Sequence, residues 1–130
     1  MELKTLDTKM INFFGVVRPY YIMSRNVTPS PQFFVSYGNG RPFISDEVPE
    51  KYRGHMIFHE LAEFEFLKGN NRCLNALQLE LSRVPKAEVV EYAHFRSETF
   101  KSLLDFLEKH EPASALIPEV RRSLGHLQSI

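Results

Sequence analysis

The stretch from Tyr52 to Leu67, YRGHMIFHELAEFEFL, limits the fold more than any other part of the chain. At about 100° per residue, Tyr52, Met56, Ile57, Phe58, Leu61, Phe64, Phe66 and Leu67 fall on nearly every side of a helix. A helix that is apolar all round has to be covered on all sides, so it belongs at the centre of its domain. Yet the same stretch carries His55, His59, Glu60, Glu63 and Glu65. A carboxylate taken out of water is costly unless something positive or hydrogen-bonding meets it. The central helix therefore calls for partners that its own sequence does not contain.

Helix signals surround this stretch. Ser45 or Asp46 can cap, Pro49 suits a first turn, and the sequence predicts a helix from about Pro49 to Lys68 that Gly69-Asn70-Asn71 ends. Asn71 is placed to cap a second helix, RCLNALQLELSRV, closed by Pro85. A third helix is expected from about Lys86 to His110, broken by Pro112, and a last one puts Leu116, Val120, Leu124 and Leu127 on one stripe. Upstream, a short helix is expected around Leu6–Phe14. The runs VVRPYYIMS, QFFVSY and RPFIS follow, short and rich in aromatic and β-branched residues, divided by TPSP and GNG. The GNG at Gly38–Gly40 tolerates positive φ, so QFFVSY and RPFIS are expected to pair as a hairpin, with Pro19 and Pro42 near edges or strand starts. The fold class that results is α+β. A small, partly open sheet over about residues 16–48 packs on helices over about 49–130, in a single domain spanning 1–130.

Sixteen basic residues balance sixteen acidic ones, which gives no support to nucleic-acid binding. The aromatic groups of FFVSY and PYYIM read as sheet core, not as a base-stacking platform. Cys73 is the one cysteine, and its apolar surroundings suggest a buried thiol in a reducing compartment. The N-terminal residues lack the apolar core of a signal peptide, and no run approaches the roughly 20 apolar residues of a membrane span. The expectation is a cytoplasmic protein with no membrane partner. Its oligomeric state is not legible in the sequence.

Chemistry concentrates on the central helix. His59 and Glu63 are spaced i, i+4 and share a face, which suits two ligands of one metal ion. Glu60 is displaced to the side, where a carboxylate can act on a metal-activated water. A third ligand is available on the second helix. Cys73, Ala76, Leu77, Leu81 and Val84 form its apolar stripe, and Glu80 falls near the middle of that stripe, pointing inward. On the third helix Glu91, His94, Glu98 and Asp105 make a polar face, whereas Arg96 shares the apolar face with Tyr92, Phe95, Leu103 and Phe106. Three compensators can serve these carboxylates: a divalent cation, the Arg96 guanidinium, or a proton on one glutamate. Zinc accepts such donors, and the oxygen-rich set also suits manganese or iron.

The segment RPFISDEVPEKYRGHMIFHELAEFEF resembles the core of zincin-like metallopeptidases, where a strand and a short loop lead into a His-Glu-x-x-His helix. The gluzincin branch adds a glutamate ligand on a later helix. The resemblance covers about Arg41 to Val84 and departs from the pattern at Glu63, which stands where the second histidine would be. It implies metal ligands at His59, Glu63 and Glu80 and a catalytic base at Glu60. In a hydrolase built on that set, Arg96 or Tyr92 of the third helix is the candidate to steady an oxyanion. The resemblance further implies a peptide or protein substrate lying along an edge strand. The alternative is a catalytically inactive, metal-free interaction or regulatory module of the same fold, in which Arg96 neutralises the buried carboxylates.

Overall fold

The computed structural model describes residues 5–24 and 34–130. In chain order the elements are β1 (Asp7–Phe13), β2 (Val16–Met23), β3 (Val35–Gly38), β4 (Arg41–Ser45), α1 (Glu50–Leu61), a π-helical turn (Ala62–Phe66), α2 (Arg72–Ser82), a 3-10 turn (Lys86–Glu88), α3 (Val89–His110) and α4 (Leu116–Gln128). This is the expected α+β class. The chain divides into two compact units, one ending at Phe66 and one running from Leu67 to Ile130.

In the first unit the strands form one open sheet in the order β1-β2-β4-β3. The expected helix at Leu6–Phe14 is instead β1, paired antiparallel with β2 through a two-residue turn at Phe14-Gly15. Apolar spacing there fits both periods. What decides for the strand is the turn, in which Phe14 and Gly15 both take positive φ (49° and 87°) and return the chain antiparallel. With so tight a turn, Phe13 and Val16 exchange hydrogen bonds, so Met10 and Pro19 form a non-hydrogen-bonded pair. The missing N–H of Pro19 therefore points away from β1. The parallel pairing of β2 with β4 starts at Tyr21 and Phe43, past both Pro19 and Pro42, so neither proline interrupts that ladder. The hairpin expected at GNG forms, with β3 and β4 antiparallel around Asn39-Gly40, both at positive φ. The TPSP segment and the start of QFFVSY lie outside the described residues.

Helix α1 lies on this sheet, touching β4, β3 and β1. Pro49 takes the N-cap position, one residue earlier than expected, and makes no side-chain cap. Ser45 Oγ accepts from the Glu47 N–H instead, and Arg53 donates to the carbonyls of Val48 and Asp46, which ties the entry loop to the first turn. Every residue from Met56 to Glu63 is buried, as an apolar-all-round helix requires. The α-helix stops at Leu61, though, and the π-helical turn carries the chain to Phe66, leaving Phe64 and Phe66 about half exposed, at 48% and 56%. The straight helix to Lys68 gives way where Arg18 and Tyr37 of the sheet engage Glu65 of the wider turn.

In the second unit α4 packs against both α2 and α3. Cys73, Leu77, Phe100, Leu107, Val120 and Leu127 centre its core, so the buried-thiol expectation for Cys73 holds. Asn71 sits at the N-cap of α2 without a side-chain cap, and a 3-10 turn precedes α3. The stripe of α4 is rotated from the expected one: Ile117 and Ser123 are buried, whereas Leu116 is exposed and Leu124 only half-buried. Among the described residues no helix is long and apolar enough to cross a membrane. Leu77 has no exposed surface, so Leu77→Ala is expected to cost about 2–5 kcal/mol. In urea unfolding this would appear as a lower midpoint with an unchanged slope.

Candidate functional site

Six residues carry the chemistry expected from the sequence. His59, Glu60 and Glu63 belong to the first unit, and Glu80, Tyr92 and Arg96 to the second.

On α1, His59 Nε2 lies 3.1 Å from Glu63 Oε2, and both residues are buried. The bond joins the last turn of α1 to the start of the π-helical turn, a widening that recurs at functional sites because it re-aims side chains without breaking the helix. Glu60 is buried next to His59. His59 and Glu63 offer a ring nitrogen and a carboxylate oxygen within 4.8 Å of one another, a buried pair of donors that could hold a metal ion. Two ligands on a tetrahedral zinc lie about 3.4 Å apart, so the pair fits a cation with little rearrangement.

The π-helical turn is held by a trio that sequence reasoning missed. Arg18 of β2 forks onto Glu65, with Nη2 2.8 Å from Oε2 and Nη1 on Oε1. The Tyr37 hydroxyl of β3 donates to the same carboxylate, and the Tyr37 ring stacks on Phe64 with centroids 5.2 Å apart. Glu65 is thus drawn toward the sheet while Glu63 stays turned inward. Nothing local in the sequence links residues 18, 37 and 65. The hydrogen bonds from Arg18 hold the Glu65 carboxyl below its ordinary value against a smaller opposing effect of burial, and the Tyr37 hydroxyl adds to the lowering.

In the second unit Glu80 has no exposed surface. Arg96 lies four residues after Tyr92 on α3, so both side chains leave the same face and both reach Glu80. Arg96 Nε donates to Oε2 at 2.7 Å and Nη2 to Oε1 at 3.1 Å, and the Tyr92 hydroxyl donates to Oε2. The third guanidinium nitrogen donates to Thr99 Oγ1 at 3.0 Å, and the Phe100 ring lies 4.5 Å beneath the guanidinium carbon. Thr99 and Phe100 were not singled out from sequence, although their i+3 and i+4 spacing from Arg96 was available. Burial is the largest influence and by itself would lower the Arg96 pKa, but the Glu80 charge, the Tyr92 hydroxyl and the hydrogen bonding to Glu80 together overcome it and hold it raised. Burial, then the same carboxylate, pushes Tyr92 well above its ordinary value, so it stays a neutral donor. The polar face expected for α3 is present, with Glu91, His94, Glu98 and Asp105 exposed.

As a test of the metal reading the two units give different answers. His59 and Glu63 suit a cation, whereas both oxygens of Glu80 already accept from a guanidinium and a phenol. Turning Glu80 to a metal would strip Arg96 of its counter-charge. No protein-family model, curated protein or solved structure matches the chain.

Arg96→Met leaves a buried carboxylate uncompensated, so a loss of about 3–5 kcal/mol is expected in chemical denaturation. The double variant Glu80→Leu/Arg96→Met removes both charges and should recover most of it; equal losses in the two would contradict the charge pairing. Glu65 behaves in the opposite pH sense to a raised group. Because its folded pKa lies below the ordinary 4.5, its contribution is present above that value and lost as pH falls through the folded pKa. Acid melting curves should show this loss in the native chain and not in Glu65→Gln.

Proposed function

We propose that the protein is a binding or regulatory module without hydrolytic activity, and that the Glu80–Arg96–Tyr92 cluster is a structural charge lock in its second unit. The observation that carries this reading is the Arg96 fork on Glu80. In the gluzincin-type pattern the downstream glutamate has to present a lone pair to the cation, whereas here both Glu80 oxygens accept from a guanidinium, which supplies the counter-charge instead. Function then falls on exposed parts of the sheet, β2 and the GNG hairpin.

A second reading is a metal-dependent hydrolase acting on peptide or protein, favoured by the buried His59–Glu63 pair. When bound, zinc or another divalent ion would polarise a carbonyl and acidify water. His59 and Glu63 would hold it, and Glu60 would accept the proton from water. Tyr92 and Arg96, engaged with Glu80, are drawn away from any oxyanion role.

The two readings separate on protein purified without chelator. The module reading expects metal well below one equivalent in the native chain and in His59→Ala, no change in melting temperature with chelator, and no peptidase activity for Glu60→Gln to abolish. Stoichiometric metal that disappears in His59→Ala would overturn it.

A further inference from the structure

The inner face of the sheet is spoken for. Phe13 meets Phe58 of α1 with ring centroids 5.0 Å apart, so Val16, Arg18, Tyr20 and Ile22, in register with Phe13 or alternating from it, face the helix. Tyr21 therefore faces the other way, and its register partner Phe43 with it. Arg41, two residues before Phe43 and opposite Gly38, lies on the same outer face.

These residues enclose a concavity of about 420 Å3, with Thr5 and Asn39 contributing to its rim and no acidic side chain among its described lining residues. The Tyr21 and Phe43 rings lie 5.7 Å apart, tilted by 38°, and the Arg41 guanidinium carbon is 5.7 Å from the Tyr21 centroid. The concavity extends over Gly38. Gly38, cross-strand from Arg41, has no side chain, and a Cβ there would meet nothing within 4 Å. On the inner face Arg18 is neutralised by Glu65. Arg41 is exposed and, among the described residues, its side chain meets no carboxylate.

We propose that this outer-face concavity binds a small aromatic carboxylate, its ring against Tyr21 and Phe43 and its charge on Arg41. The size suits a ring with a short tail. A guanidinium presents paired donors that match the two oxygens of a carboxylate, and the neighbouring rings exclude water from one side of that contact. The Asn39-Gly40 turn, with both residues at positive φ, fixes where Arg41 enters the sheet and hence where the charge sits. The inference deepens the binding-module reading and rests on it, because it supplies the ligand chemistry that such a module needs.

The test is an amide-shift titration of the full chain with N-acetylphenylalanine and with its neutral amide, which is nearly the same size but replaces one acceptor oxygen and the negative charge with an NH2 donor. The carboxylate is expected to shift Tyr21 and residues 38–43, and the amide to bind at least about tenfold more weakly, the range of one charge-assisted bidentate contact. Arg41→Gln should erase the difference between the probes, and Gly38→Leu, which fills the space, should abolish binding of both. Phenylpropionate, lacking the acetamide, serves as a third probe. Binding as tight as N-acetylphenylalanine points to a free aromatic acid, and clearly weaker binding to the C-terminus of a peptide; both support the site. Equal affinity for the charged and neutral probes, shifts centred elsewhere, or unchanged binding in Arg41→Gln would overturn it. Metal content measured on the same sample reports on the module reading separately, so failure of the one is distinguishable from failure of the other.

Discussion

A carboxylate with no exposed surface can stay ionised only if positive charge and donors are built around it, and Glu80 sets that requirement for the second unit. Its two oxygens take three donors from α3, which fixes the face that α3 presents. Direct packing in this unit runs from α4 to α2 and from α4 to α3. The long Arg96 and Tyr92 side chains supply the link from α3 to α2, with Phe100 and Thr99 closing the remaining sides of the guanidinium. Such a cluster contributes little net stability over an apolar equivalent, but losing one member is expensive. Its effect is to penalise alternative helix registers, since any other rotation strands a charge.

The first unit meets its buried polar groups by another route. There the backbone yields: the helix widens into a π-helical turn, and Glu63 stays inside on His59 while Glu65 swings to Arg18 and Tyr37. Two glutamates two residues apart thus reach unlike environments, one buried and one half-open. The sheet makes this possible because β2 and β3 bring Arg18 and Tyr37 to the same inner face from positions far apart in the chain.

These two solutions bear differently on chemistry. In the Glu80 cluster both carboxylate oxygens are engaged by Arg96 and Tyr92, an arrangement suited to architecture. The His59–Glu63 pair keeps a nitrogen and an oxygen close together beside a third ionisable residue, Glu60, an arrangement from which proton or metal chemistry can be built. Arg41 on the outer sheet face differs from both in being exposed and in having no carboxylate beside it among the described residues.

The sequence by itself determined the α+β class, the four helices, the GNG hairpin, the inward position of Glu80 and its sharing of an apolar face type with Arg96, because each of these rests on local periodicity or on Gly and Pro stereochemistry. It misplaced β1 because Met10, Ile11, Phe13 and Phe14 fit a helical and an extended spacing alike, and only pairing with β2 separates them. The π-helical turn, the Arg18–Glu65–Tyr37 trio and the choice of Arg96 as the partner of Glu80 were decided by tertiary structure. Each joins side chains 12 to 47 residues apart, and no local rule states which distant donor a buried carboxylate will meet.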